Sequence, residues 1–312
     1  MLTTPLGVGL ATLMREPSRK KQQYLLDVAY DVGYRHFDVA PSYGLGSAEV
    51  VLGRFLRRHS EGVTVATKVG IQVRVGSLAR FIERPARLVL QRFPSLRGSA
   101  SSAVGGALHA RPNFSRDSCS ASLDASLRAL NADYVDLLLL HGAQPSDLND
   151  GAALDWLDQQ KERGRIRNCG IATTAEAATE IVRQYPGRLD AIQTPSSLLE
   201  RSENLPNSPG ILRVTYGAIG PVLSAIDHRT ATDPLWSKKF SSLSQVEVRN
   251  RQDITNLLIA CALSENPRGV VLIGSSKAEH LRSAASVVDH FAAARAKATA
   301  EFLRQSFAVG GP

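Results

Sequence analysis

GYRHFDVAPSYGLGSAEVVLG, Gly33–Gly53, is the stretch from which the rest of the chain can be read. It divides into a short strand, Tyr34–Asp38, a tight loop, Val39–Gly46, and a helix that opens at Ser47. Ser47 is a good N-cap residue, and Glu49 falls in the first helical turn, where the helix dipole favours an acid. Val50, Val51, Phe55 and Leu56 then give that helix an apolar face. A carboxylate, Asp38, and a phenol, Tyr43, are thus expected at the rim between a strand and its following helix.

The same alternation extends outward in both directions. Leu6–Leu10 reads as a strand and Ser18–Val32 as a helix with Tyr24, Leu25, Val28 and Ala29 on its buried face. Val63–Val69, Tyr134–Leu140, Ile166–Ala172, Ala191–Pro195, Leu212–Tyr216 and Gly269–Ile273 read as further strands. Helices are expected at Arg116–Leu130 (capped by Ser115), Ala153–Arg163, Ala175–Gln184, Gln252–Ser264, Lys277–His290 and Ala292–Phe307. Gly217–Arg249 reads as a long connection, and Asn204–Gly210 leaves little room for a helix. About eight strands, mostly each followed by a helix and without hairpins, imply parallel strands. The expected architecture is α/β: a single-domain (β/α)₈ TIM barrel over residues 1–312, with a long insertion, 72–114, after the third strand.

Composition bounds the function. Of 312 residues, 43% are hydrophobic and 21% charged, an ordinary globular balance, and no run reaches the length of a membrane span. The opening MLTTPLGVGLATL lacks a basic leader and a small-residue cleavage site, so a cytoplasmic setting is expected. Cys119, Cys169 and Cys261 are odd in number and widely spaced, which fits a reducing compartment and no metal site. The net charge is +8, but 72–114 holds seven arginines against one glutamate, so the remainder is close to neutral. Aromatics are 6% and do not interleave with basic blocks, which argues against a nucleic-acid partner. Gly7 and Gly9 do not begin a dinucleotide fingerprint, because position 12 is Thr.

In a barrel, polar residues at the carboxyl ends of strands converge on one mouth. Here these are Asp38, Tyr43, Lys68 and His141, on three successive strands and their loops. Together they can act as an acid catalyst. A free tyrosine has a pKa of about 10, which a neighbouring ammonium lowers. Asp38 can hold Lys68 charged, His141 can donate to a carbonyl oxygen, and Tyr43 can protonate that oxygen as hydride reaches carbon.

The pieces FDVAPSYGLGSAE (Phe37–Glu49), TK (Thr67–Lys68), YVDLLLLH (Tyr134–His141) and GSSKAEHL (Gly274–Leu281), in that order, resemble the aldo-keto reductase superfamily. The resemblance implies an Asp38–Tyr43–Lys68–His141 tetrad and an extended NADP, with NAD possible, lying across the barrel mouth. It carries the carboxamide-binding glutamine onto Gln193 and the nicotinamide-stacking aromatic onto Tyr216. The family's serine–asparagine pair falls on Ala172 and Thr173, so the usual contacts there are changed. Gly274, Ser275 and Ser276 precede the last barrel helix, whose free N–H groups form a natural phosphate site. Ser276 and Glu279 fit a capping box. Lys277 and Arg282 are near enough for a 2′-phosphate, while His280 stands where many NADP-preferring members have arginine.

Ordinary structural roles compete with each assignment. His141 could be a satisfied core histidine, Tyr216 and Tyr43 packing residues, Gln193 a structural hydrogen-bonder, and Ser275 or Ser276 a simple cap. Trp236 could line a substrate pocket or anchor a loop. The arginine-rich insertion could be a solvated loop, a positively charged lid suited to an anionic substrate, or a subunit contact. An insertion at this place is similar to the sugar and pyridoxal dehydrogenase branch. The expected function is NAD(P)-dependent hydride transfer to an aldehyde, ketone or sugar. Alternatives are a sugar (lactol) or alcohol dehydrogenase working oxidatively, a lyase with Lys68 as a Schiff-base amine, and a cofactor-sensing barrel that binds a partner.

Overall fold

The computed structural model describes residues 4–71, 111–148, 150–196, 198–199, 210–290 and 292–307. The readings of 72–110 and most of Asn204–Gly210 lie outside these residues. The described strands are β1 (Leu6–Gly9), β2 (His36–Asp38), β3 (Thr64–Val69), β4 (Val135–His141), β5 (Ile166–Ala172), β6 (Ala191–Pro195), β7 (Leu212–Tyr216) and β8 (Val270–Ile273). All pair in parallel in chain order, and β8 returns to β1, closing the barrel. The apolar run in β4 suits a parallel strand that is buried on both faces.

Helices run between the strands: α1 (Leu10–Leu13), α2 (Arg19–Asp31), α3 (Ala48–Leu56), α4 (Arg116–Leu130), α5 (Ala152–Glu162), α6 (Ala175–Gln184), α7 (Gly220–Thr232), α8 (Pro234–Ser244), α9 (Arg251–Glu265), α10 (Ala278–His290) and α11 (Ala293–Phe307). Most boundaries agree with the sequence to within two residues. The span Gly217–Arg249, read as a long connection, instead contains α7 and α8. Asp233 starts α8 by accepting the Trp236 N–H at 2.9 Å, and Pro234 at its first position has no N–H to satisfy.

Two side chains read as buried are not. Tyr24 is 51% exposed and Val50 36% exposed. The core face of α2 runs through Gln22, Leu25, Leu26 and Ala29, and that of α3 through Ala48, Val51, Leu52 and Phe55, leaving both residues off the stripe. Two expected N-cap bonds are also absent: Ser47 Oγ turns back to donate to Gly44 O at 2.6 Å, and Ser115 makes no side-chain cap.

Register positions the mouth. Successive side chains of a strand face opposite sides, and paired residues share a face. Asp38 pairs with Ala66, Lys68 with Leu139, His141 with Ala172, and Ala172 with Gln193. Each step from β2 to β4 therefore moves the polar group one inward position toward the carboxyl end. That stagger accompanies the strand tilt of a closed barrel, and it gathers the four groups at one end.

Candidate active site

Lys68 and Asp38 are the innermost groups, at 1% and 2% exposure. The ammonium donates to both carboxylate oxygens at 2.7 Å and to Val39 O at 3.1 Å, and the Tyr43 hydroxyl also lies within its reach. Gln193 Nε2 donates to Asp38 Oδ2 at 2.9 Å. Burial alone would favour a neutral amine, but the Asp38 carboxylate, aided by Tyr43, holds the proton affinity of Lys68 above its ordinary value. A charged, triply bonded ammonium argues against Schiff-base chemistry at this lysine.

Tyr43 begins a 3₁₀ turn, Tyr43–Gly46, that runs straight into α3. Gly44 has φ +56°, a left-handed backbone conformation that favours glycine. The Lys68 ammonium sits 5.1 Å from the centre of the Tyr43 ring. Lys68 does lower the proton affinity of the phenol, as the sequence suggests. Burial is the larger effect, however, and the net direction is upward. Tyr43 is therefore held as a neutral O–H.

His141 ends β4 and is half-buried. Burial first and the Lys68 charge second lower its pKa to about 4, which leaves a neutral imidazole. Tyr216 ends β7 and is 43% exposed, with the Lys68 and Asp38 charges both acting on its phenol. Thr173 donates to Ala143 O at 2.7 Å and accepts from Gln144 Nε2 at 3.4 Å. Gln193 Oε1, in contrast, is buried and has no hydrogen-bond partner.

Farther along the mouth, Gly274 approaches Thr12 so closely that a Cβ would lie 2.7 Å from its hydroxyl. The turn into α10 is held by Ser275 rather than Ser276. Ser275 Oγ accepts the Lys277 N–H at 3.0 Å and lies 3.3 Å from His280 Nδ1. Glu279, expected in a capping box, sits 3.7 Å from the Lys277 ammonium. Arg282 donates to the Tyr24 hydroxyl at 3.4 Å. Trp236 is not at the mouth: it stacks with Phe240 and Phe302 between α8 and α11 and donates to Ser306 Oγ at 2.8 Å.

Two further polar residues lie buried near the site. His36 lies two residues before Asp38 on the same inward face, fully buried, with Nδ1 2.9 Å from Thr64 Oγ1 and Nε2 without a partner. Burial lowers its pKa to about 4. Glu49, in the first turn of α3 as expected, is 4% exposed and accepts the Thr67 hydroxyl at 2.7 Å. Its spacing was a signal: Glu49 shares a helix face with Leu52 and Gly53.

Among the described residues no group of His, Cys, Asp and Glu is arranged to hold a metal, and no helix is long and apolar enough to cross a membrane. Comparison with known proteins matches the aldo/keto reductase family model over residues 5–298. D-threo-aldose 1-dehydrogenase of a Pseudomonas species is 30% identical over 222 residues, 66% of this chain and 64% of that protein. Pyridoxal 4-dehydrogenase of Microbacterium luteolum is 33% identical over 146 residues, 45% of this chain and 40% of that protein. The matched stretches thus span less than two thirds of these relatives. The glycerol dehydrogenase AKR11B4 structure from Gluconobacter oxydans superposes with a TM-score of 0.72 at 19% identity, covering 99% of this chain and 94% of that one. That likeness speaks for the fold alone, whereas the family model covers nearly the whole chain: it belongs to the aldo/keto reductase family.

Proposed function

We propose that this aldo/keto reductase family member is an NAD(P)-dependent oxidoreductase of aldehydes, ketones or sugars, with Tyr43 as its general acid. The observation that carries the reading is the sealed Asp38–Lys68 pair beside a partly buried, neutral Tyr43. The residues present fit a nicotinamide nucleotide. Gln193 Oε1 is an unpaired buried acceptor, Tyr216 offers a half-exposed ring beside the tetrad, and α10 begins after a close-packed glycine turn. When bound, the nucleotide supplies the hydride.

The chain's own residues handle the proton. Neutral His141 donates an N–H to the substrate carbonyl oxygen and orients it. Tyr43 Oη then gives its proton to that oxygen, and the phenolate left behind is stabilised by the Lys68 ammonium. Asp38 keeps that ammonium charged and fixed. Preorganised charge of this kind costs no reorganisation at the moment of reaction. In the oxidative direction a Tyr43 phenolate takes the alcohol proton. The names of the two dehydrogenase relatives favour keeping that direction as a second reading.

NADP is the proposed cofactor, with NAD as its competitor. Lys277 and Arg282 are the cations available to a 2′-phosphate, and each would exchange its present partner, Glu279 or Tyr24, for it. Both tryptophans pack among the outer helices, so calorimetric titration with NADPH and NADH is the suitable test. Saturable binding and NAD(P)H-dependent reduction of an aldehyde panel are expected. Binding of neither nucleotide would remove the basis of the reading.

A further inference from the structure

Glu49 stands where three elements meet behind the tetrad. It lies on the first turn of α3, six residues after Tyr43. Its Oε1 accepts from Thr67, the residue next to Lys68, and both partners are buried, at 4% and 0% exposure. Thr67 necessarily faces away from the barrel interior, because Lys68 faces into it. The third element is α4. Ser126 of α4 lies beside the same carboxylate, fully buried and without a hydrogen bond of ordinary geometry. One turn on, Gly53 closes the α3–α4 contact so tightly that a Cβ would sit 2.5 Å from Ala129 O. Glu49 and Gly53 share one face of α3, as Ser126 and Leu130 share one face of α4.

We propose that Glu49 is a positioning residue that sets the distance between Tyr43 and Lys68. This role rests on the reading of Tyr43 as the proton donor. Tyr43 enters α3 through a single 3₁₀ turn, and Lys68 follows Thr67 by one residue. The Glu49–Thr67 bond is therefore a strut between the element bearing the phenol and the strand bearing the ammonium. The proton affinity of the phenol depends on that gap, since the Coulomb effect of Lys68 falls as the two separate. Burial raises the proton affinity of the Glu49 carboxylate, the Thr67 and Ser126 hydroxyls lower it, and the Lys68 charge, on the opposite face of β3, lowers it least.

The test reads Tyr43 directly in the nucleotide-free protein, as the near-ultraviolet tyrosinate absorbance that Tyr43→Phe removes. Glu49→Ala and Thr67→Val should each raise its titration midpoint by about half a pH unit, as the ammonium's pull weakens. Glu49→Gln keeps an acceptor and Thr67→Ser keeps the hydroxyl, and both should restore the midpoint. Combining Glu49→Ala with Thr67→Val should add nothing further. With 4-nitrobenzaldehyde as the probe substrate, kcat should fall roughly tenfold in Thr67→Val while nucleotide affinity holds. Added to Tyr43→Phe, Thr67→Val should leave the residual rate unchanged. A lower melting temperature with an unmoved midpoint would overturn the proposal, as would additive midpoint shifts. Absence of turnover in the wild type would count against the oxidoreductase reading, while the spectroscopic midpoint would still decide the role of Glu49.

Discussion

Strands β2–β4 and strands β6–β8 build opposite halves of one mouth, and they hold their polar groups in opposite ways. On the first half, Asp38 and Lys68, and Glu49 and Thr67, are buried and bonded in two pairs. On the second, Tyr216 is 43% exposed, the Lys277 and Glu279 side chains are 61% and 72% exposed, and Gln193 keeps an unpaired oxygen. One half has its charges fixed before anything binds. The other has groups that can exchange their present partners for a ligand. Chemistry needs the first arrangement, because reorganising charge during reaction is costly. Binding needs the second, because exposed pairs are held by little free energy.

Tyr43→Phe gives the largest break between the halves. Its kcat should fall by ~10²–10⁴ while the nucleotide dissociation constant measured by calorimetry stays within about twofold. Lys68→Met should also lose turnover, and it leaves Asp38 as a buried unpaired charge. That should cost about 3–5 kcal/mol in denaturant unfolding. Lys277→Met, on the exposed half, should leave the unfolding curve in place.

A smaller effect is expected from pH. His36 is buried neutral, with its pKa depressed from 6.5 to about 4. The unfolded chain takes up that proton first, so stability should fall as pH drops from about 6.5 toward about 4 and then level off. The expected loss from His36 is on the order of 3 kcal/mol; His141, lowered over the same range, adds to it, so His36→Asn should reduce the slope of this part of the stability profile without abolishing it. In turnover the sign is set by Tyr43. Reduction should decline as pH rises through its elevated pKa, and oxidation should climb over the same range. The smallest effect belongs to the exposed pair: Glu279→Ala should free Lys277 and raise NADPH affinity by less than about fivefold, with NADH affinity unchanged.

The contrast between the halves also explains what the sequence disclosed. Asp38, Lys68 and His141 are legible because each lies at or next to the carboxyl end of a strand, and strand ends follow from alternation and length. Their neighbours were harder to read. Glu49 lies in a first turn where a solvated acid is ordinary, and only its sharing of a face with Gly53 marks it as buried. His36 is polar in a three-residue strand, too short for periodicity to show that it faces inward. The helices α7 and α8 were missed because their apolar stripe is thin: Val222 and Ile226 on one, Trp236 and Phe240 on the other. The caps that define them, Asp233 and the two prolines, were the signal. At the start of α10, Ser275 and Ser276 are adjacent, and only geometry shows which hydroxyl closes the turn.

The pairing of β8 with β1 has a consequence for synthesis. Leu6 lies opposite Val271, and Gly7 opposite Leu272. Contacts this distant in sequence form late, because the intervening chain must be made and its loop entropy overcome. The strands bearing Asp38, Lys68 and His141 leave the ribosome well before β8 exists. Until it arrives, β1 keeps an unpaired edge, and the barrel around the Asp38–Lys68 pair stays open to water. A nascent chain halted short of Val270 would thus present a sticky strand edge and a half-solvated ion pair, a form suited to chaperone capture rather than to catalysis.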